Sequence, residues 1–169
     1  MTDAGDMYSN WVTDPEVCRF WPWKPHKNIG ETKAKLTEWI GEYSKPDYYH
    51  WIIELKDVSQ AVGYIYFADV DDTYDSVSIH YALSRKYWNR GIMTEAVKRA
   101  MEFAFEDLGV RRIHSNHHVE NPASGRVLRK SGMRYVKTEY KRVPECERIS
   151  GDHLYYEMTS EERKRGNDG

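Results

Sequence analysis

The sequence predicts an α+β fold: a mixed, mostly antiparallel central sheet with helices packed against it. Three observations carry this. Three strand-like runs lie between residues 50 and 84, separated by short polar turns. A helix, a strand and a second helix follow between 94 and 131. Two further strand-like segments, 133–142 and 152–158, come last. Short turns between consecutive strands imply an antiparallel meander, and strands grouped apart from helices imply α+β layering. The length of 169 residues suits one domain over 1–169.

The elements follow in order. Ala4, Met7, Tyr8 and Trp11 recur at helical spacing and predict a helix over 3–11, with Thr2 or Asp3 available as its cap. Asp14-Pro15-Glu16 starts a second short helix, and the prolines at 22 and 25 stop it continuing. Asn28 followed by Glu31 resembles a capping box. Leu36, Trp39, Ile40 and Tyr43 then mark one face of a helix over 31–44. The strands are His50–Leu55, Ala61–Ala68 and Ser76–Ser84, the last two joined by an acidic turn containing Asp69, Asp71, Asp72 and Asp75. Val97, Met101, Ala104 and Leu108 form the apolar stripe of a helix over 94–108, closed by Gly109. A strand over 111–118 follows, and then a helix over 122–131, opened by Asn121-Pro122 and closed by Gly132. The charged tail from Ser160 is expected to fray.

Bulk composition narrows the function. With 25 basic and 27 acidic residues the formal net charge is -2, which does not indicate a nucleic-acid-binding surface. Two distant cysteines, Cys18 and Cys146, make neither a disulfide framework nor a metal pattern, so a reducing compartment is expected. The first ten residues lack the pattern of a signal peptide, and no apolar run is long enough to span a membrane. A cytoplasmic protein is expected. His114, His117 and His118 suggest zinc, but in a strand His117 points away from the other two and no further ligand completes a set. No metal is expected.

The informative stretch is Tyr87 to Ala96, YWNRGIMTEA, at the junction of the third strand and the long helix. Glycine there permits close backbone approach to a ligand. The first amides of a helix lack internal partners and its dipole is positive at that end, which makes a phosphate site. On these grounds alone an ordinary turn remains the commoner explanation.

Residues 87–96 resemble the acetyl-CoA-binding loop of the GNAT (general N-acetyltransferase) superfamily, Q/R-x-x-G-x-G/A. More narrowly they resemble the branch containing ribosomal-protein N-terminal acetyltransferases, Y-W-G-K-G-x-x-T-E-A. A second block, NPASGRVLRKSGM over 121–133, is similar to that branch's N-x-x-S-x-x-V-L-x-K-x-G-F/M. The resemblance implies transfer of acetyl from acetyl-CoA to a primary amine, on a protein N-terminus or a small molecule, by direct attack in a ternary complex. It implies that the backbone of Trp88, Asn89, Arg90, Gly91, Ile92, Met93 and Thr94 holds the pyrophosphate. Ile79, Tyr81 and Leu83 would offer strand-edge groups to the pantetheine arm, Asn121 would hydrogen-bond it, and Ser124 would sit near the sulfur. Arg90, Arg126, Arg129 and Lys130 are candidates for the nucleotide phosphates or for a solvated helix face.

The departures from the pattern also matter. Asn89 replaces a frequent glycine. Leu128 occupies the place of a tyrosine acid, and Ser78 that of a carboxylate. A strand that precedes the first helix in the family has no counterpart here, so the chain starts downstream of it or the sheet has one strand fewer. The uncovered edge invites pairing with a second copy.

A neutral amine is needed to attack the thioester, so a base is sought. His80 is the first candidate, with an ordinary pKa near 6.5; Glu54 is the second and Glu120 the weakest. Ser124 is the candidate donor to sulfur. Of Tyr155 and Tyr156 one should face the cleft, with core packing the commoner role for either, and Phe20, Trp21 and Trp23 should either border the acceptor site or pack beneath the helix over 31–44. The competing expectation, motivated by Leu128 and Ser78, is a non-catalytic acyl-CoA-binding module.

Overall fold

The computed structural model describes residues 3–70 and 75–167. Helix α1 (Asp3–Met7) widens into a π-helical turn over Tyr8–Val12 and buries Ala4, Met7 and Trp11. In α2 (Pro15–Cys18), Asp14 caps by accepting from Glu16 N–H. Helix α3 (Ile29–Glu42) opens with Asn28 accepting from Glu31 N–H at 3.1 Å while the Glu31 carboxylate accepts from Lys27 N–H at 2.9 Å. Its buried face differs from the expected stripe. Thr32 and Leu36 are buried, whereas Ile40 and Tyr43 are exposed. Thr32 can enter the apolar face because His26 Nδ1 satisfies its hydroxyl at 2.8 Å. Thr2, Asp71 and Asp72 lie outside the described residues.

The sheet has six strands in the order β1-β2-β3-β4-β6-β5. β1 (His50–Leu55), β2 (Gln60–Ala68) and β3 (Ser76–Leu83) form the antiparallel meander, and β4 (Arg112–His118), β6 (Gly151–Thr159) and β5 (Arg134–Lys141) form the second antiparallel set. The two sets meet through one parallel pair, β3 with β4. β1 forms one edge, and among the described residues no strand precedes α1.

Alternation along the strands divides the molecule into two layers. Val77, Ile79, Ile113 and Tyr156 face α4 (Ile92–Glu106) and α5 (Pro122–Lys130), meeting Val97, Met101 and Leu128 in the larger core. Tyr64 and Ala82 face the other way, onto Met7, Trp11 and Leu36. The long helix begins at Ile92, two residues before the expected start. Where fraying was expected, residues Ser160–Asn167 form helix α6, which starts from Thr159, whose hydroxyl accepts from Glu162 N–H at 3.2 Å while Glu162 accepts from Thr159 N–H at 2.9 Å. That is a capping box. Its signature, Thr-x-x-Glu over 159–162, stood in the sequence and was missed.

Candidate active site

β3 and β4 pair only from Ser76↔Arg112 to Ser78↔His114 and then diverge. The alternation of β3 is fixed by Ser84 N–H donating to Val62 O and by the Tyr66↔His80 and Ala82↔Tyr64 register. Ile79, Tyr81 and Leu83 therefore turn their backbone groups away from β2, into the gap. Two of their carbonyls are already engaged. Ser115 Oγ donates to Ile79 O at 2.8 Å, and the Trp88 indole donates to Leu83 O at 2.7 Å. The Tyr81 backbone, between them, is engaged by neither side chain.

The gap leads to the start of α4. Asn89 has φ 60° and Gly91 φ 84°, two left-handed residues that turn the chain into the helix. Asn tolerates that region with less strain than most residues, so a glycine is dispensable at 89. At Gly91 the space ahead is empty: an added Cβ would meet nothing within 4 Å. Gly91 caps α4 without a side-chain hydrogen bond, leaving the first amides of a 15-residue helix for an anion. Ile92 and Thr94 are half-buried, while Met93 is buried in the core. Met93 therefore anchors the helix, and only its backbone belongs to the loop. Arg90 lies over the Tyr87 ring at 5.3 Å. Arg126 and Lys130 are exposed on α5, and Arg129 donates to Tyr156 Oη at 3.0 Å.

On the α5 side, Asn121 Oδ1 accepts from Ser124 N–H at 3.3 Å as the helix cap, which leaves Nδ2 for a ligand. Ser124 Oγ lies 2.9 Å from Tyr81 Oη. Leu128 is fully buried in the core. Gap, glycine-capped helix and α5 cap thus converge, and they suit an extended arm that ends in a pyrophosphate.

The candidate bases do not converge equally well. The His80 imidazole faces the α1 side of the sheet, stacked on Tyr66 at 5.1 Å and sharing a 2.8 Å hydrogen bond with Ser78 Oγ. Burial pushes its pKa down to about 4, so it is a neutral, weak base and not one poised near neutrality. Glu54 is exposed on edge strand β1, opposite Ala61. Two strand spacings, roughly 10 Å, separate β1 from β3, so Glu54 is not brought to the gap. Glu120 is exposed and paired with Arg19 at 2.8 Å.

The loop after α2, expected either to border the acceptor site or to pack beneath α3, lies against the sheet. Phe20 stacks on His118 at 5.6 Å, and Trp21 packs on Tyr64 at 5.6 Å. Sequence reasoning missed the residue that holds this loop. Arg148 donates to four main-chain carbonyls: Cys18 at 3.2 Å, Arg19 at 2.5 Å, and Trp21 and Trp23 at 2.7 Å each. No sequence signal marks such a contact across 125 residues or more. A cleft of about 420 Å³ opens beside it, bounded by Phe20, Lys24, Glu120 and Arg148. Tyr156 is core and Tyr155 is half-buried on the opposite face of β6. His117 packs against α5 while His118 meets Phe20, and no group able to hold a metal occurs among the described residues.

The profile of the acetyltransferase (GNAT) domain matches residues 1–134. The chain belongs to the GNAT acetyltransferase family. Members of this family transfer acetyl from acetyl-CoA to an amine. Among curated relatives, the uncharacterized N-acetyltransferase YoaA of Bacillus subtilis is 24% identical over 131 residues, covering 78% of this chain and 73% of that protein. Among solved structures, a GNAT-family acetyltransferase from Bacillus anthracis superposes with a TM-score of 0.81 at 22% identity, covering 95% of this chain and 90% of that one. A ribosomal-protein-S5-alanine acetyltransferase from Vibrio fischeri gives 0.75 at 17%, covering 94% and 88%. A spermidine N-acetyltransferase from Vibrio cholerae, solved with CoA and spermine, gives 0.77 at 12%, covering 95% and 92%. The last three show the shared GNAT fold.

Proposed function

We propose that this GNAT chain is a single-domain, cytoplasmic N-acetyltransferase that binds acetyl-CoA along the β3–β4 gap and passes the acetyl group directly to a primary amine. The observation that carries this reading is the continuity of the unpaired edge of β3 with the Gly91-capped start of α4. Pantetheine would extend the sheet like an added strand, the α4 amides would hold the pyrophosphate, and a main-chain N–H from Tyr81 or Leu83 would polarise the thioester carbonyl. Much of the rate would come from holding amine and thioester together.

The state of His80 bears on the acceptor. A base with a pKa of about 4 is a poor match for an alkylamine near 10.4 but less so for a chain N-terminus at about 7.7–8.0, much of which is already neutral at pH 8. A protein or peptide N-terminus is therefore the favoured acceptor class over a polyamine. Among the described residues none of the three candidate bases, His80, Glu54 and Glu120, is a strong base at the gap, and this, together with the apolar side chain of Leu128, also motivates a second reading, a non-catalytic acyl-CoA-binding module. Release of CoA in the presence of peptide N-termini, lysine peptides and spermidine separates these readings. Turnover highest with N-terminal amines supports the first; acetyl-CoA binding without any turnover supports the second. The exposed edge of β1 is the place where a second copy would pair.

A further inference from the structure

Position 128 carries no acid, yet a phenol does stand in the site. Tyr81 reaches from β3 to α5, where its Oη lies 2.9 Å from Ser124 Oγ and 3.1 Å from Ser124 O. Strand pairing between β3 and β4 has ended three residues earlier, so this phenol spans the gap to the neighbouring helix. Resting on the N-acetyltransferase reading above, we propose that Tyr81 is a positioning residue that holds the Ser124 hydroxyl so that its hydrogen is donated to the CoA sulfur as the C–S bond breaks.

The hydrogen count allows this. A phenol has one hydrogen, Ser124 O and the nearer Ser124 Oγ both stand within its reach as acceptors, and a serine hydroxyl can both donate and accept. When Tyr81 donates to Ser124 Oγ, the serine hydrogen is free to point into the gap. Without that donor, a serine in a helix tends to bond back to its own helix backbone. The neighbouring phenols are committed elsewhere: Tyr156 Oη accepts from Arg129, and Tyr87 Oη donates to Gln60.

The step balances without consuming either side chain. The amine lone pair forms the N–C bond, the C–S bond breaks, and its electron pair goes to sulfur as a thiolate. The surplus amine proton leaves to water, and water later reprotonates the thiolate. Tyr81 and Ser124 contribute hydrogen bonds and no net proton. Burial raises the Tyr81 pKa above its ordinary value, so the phenol stays protonated throughout and does not act as the proton source.

The test is equilibrium binding to the full chain by calorimetry at pH 7 and pH 9, comparing CoA with desulfo-CoA. A thiol with a reference pKa of about 8.5 is mostly thiolate at the higher pH. The wild-type protein should prefer CoA, more so at pH 9. Tyr81→Phe should lose about tenfold of that preference, as for a hydrogen bond to a charged group, with desulfo-CoA affinity unchanged; Ser124→Ala should do the same. An unchanged preference in Tyr81→Phe overturns the proposal, as does an equal loss for both ligands, which marks a merely structural role. A wild-type chain that binds neither ligand overturns the cofactor reading and this one with it. Should Tyr81→Phe fail to fold, 3-fluorotyrosine at position 81, a stronger donor of similar shape, should enlarge the preference, and no change there overturns the proposal equally.

Discussion

Replacing Gly125 by alanine tests how tightly α5 is seated against the sheet. In an unconstrained helix, Gly→Ala stabilises by about 1 kcal/mol. Here a Cβ at 125 would lie 2.4 Å from His117 Nε2 and 3.0 Å from Cε1. The imidazole has little room to retreat. It is 5% exposed, stacked on Tyr156 at 5.6 Å, and held through Nδ1 by His118 O at 2.8 Å. Overpacking of this kind costs roughly 1–3 kcal/mol, so the sign of the substitution should reverse. Gly125→Ala should lower stability by about 1 kcal/mol net, or about 2–4 °C in Tm for a chain of this size. In a His117→Ala background the clash is gone and the same substitution should stabilise. The coupling between the two, read from urea unfolding of the four proteins, should be about 2 kcal/mol, within the range for residues in contact. A Gly125→Ala protein as stable as the wild type, or equal effects in both backgrounds, would refute the reasoning. Because Ser124 adjoins Gly125, the single variant should also weaken CoA binding.

Three further outcomes are expected. Arg148→Ala releases four carbonyls of the loop after α2, so steady-state kinetics should show a raised KM for the amine with little change in KM for acetyl-CoA; Arg148→Lys should rescue only in part, since a lysine cannot reproduce the planar fork. Stability should fall on acidification, because burial pushes His50 down to about 4 while its unfolded value is about 6.5. Between those values the unfolded chain binds more protons, so the loss due to His50 runs from pH 6.5 down to 4 and approaches about 3 kcal/mol; denaturant titrations of His50→Phe across that range should be flatter. Gly91→Trp should still fold, with a lower Tm from its φ of 84°, but should show no stabilisation by acetyl-CoA.

The strands, the order of elements and the loop at 87–96 were legible in the sequence because each is written locally. Short apolar and aromatic runs between polar turns mark β1, β2 and β3, and Gly91 with the apolar stripe after it marks the start of α4. The face of α3 was misread because Thr32, a polar residue satisfied by His26, takes the place that a search for apolar periodicity assigns to Ile40. The catalytic candidates fared worse for a different reason. Glu54 and His80 have the right chemistry in the right strands, but pleat and edge position decide which side chains meet, and those depend on register. Tyr81 was noticed for its backbone; its hydroxyl matters only because β3 and β4 diverge beneath α5. Arg148 and the loop it clamps are 125 or more residues apart, beyond the reach of any local pattern.

The central claim is that the edge of β3 and the start of α4 form an acetyl-CoA site, and thermal unfolding with and without acetyl-CoA tests it most directly, with free adenosine as the control. A ligand at about 100 times its dissociation constant should add about 2.7 kcal/mol of stability, or roughly 5–10 °C in Tm. A rise of that size with acetyl-CoA and none with adenosine is the predicted result; no shift at millimolar acetyl-CoA would contradict the account.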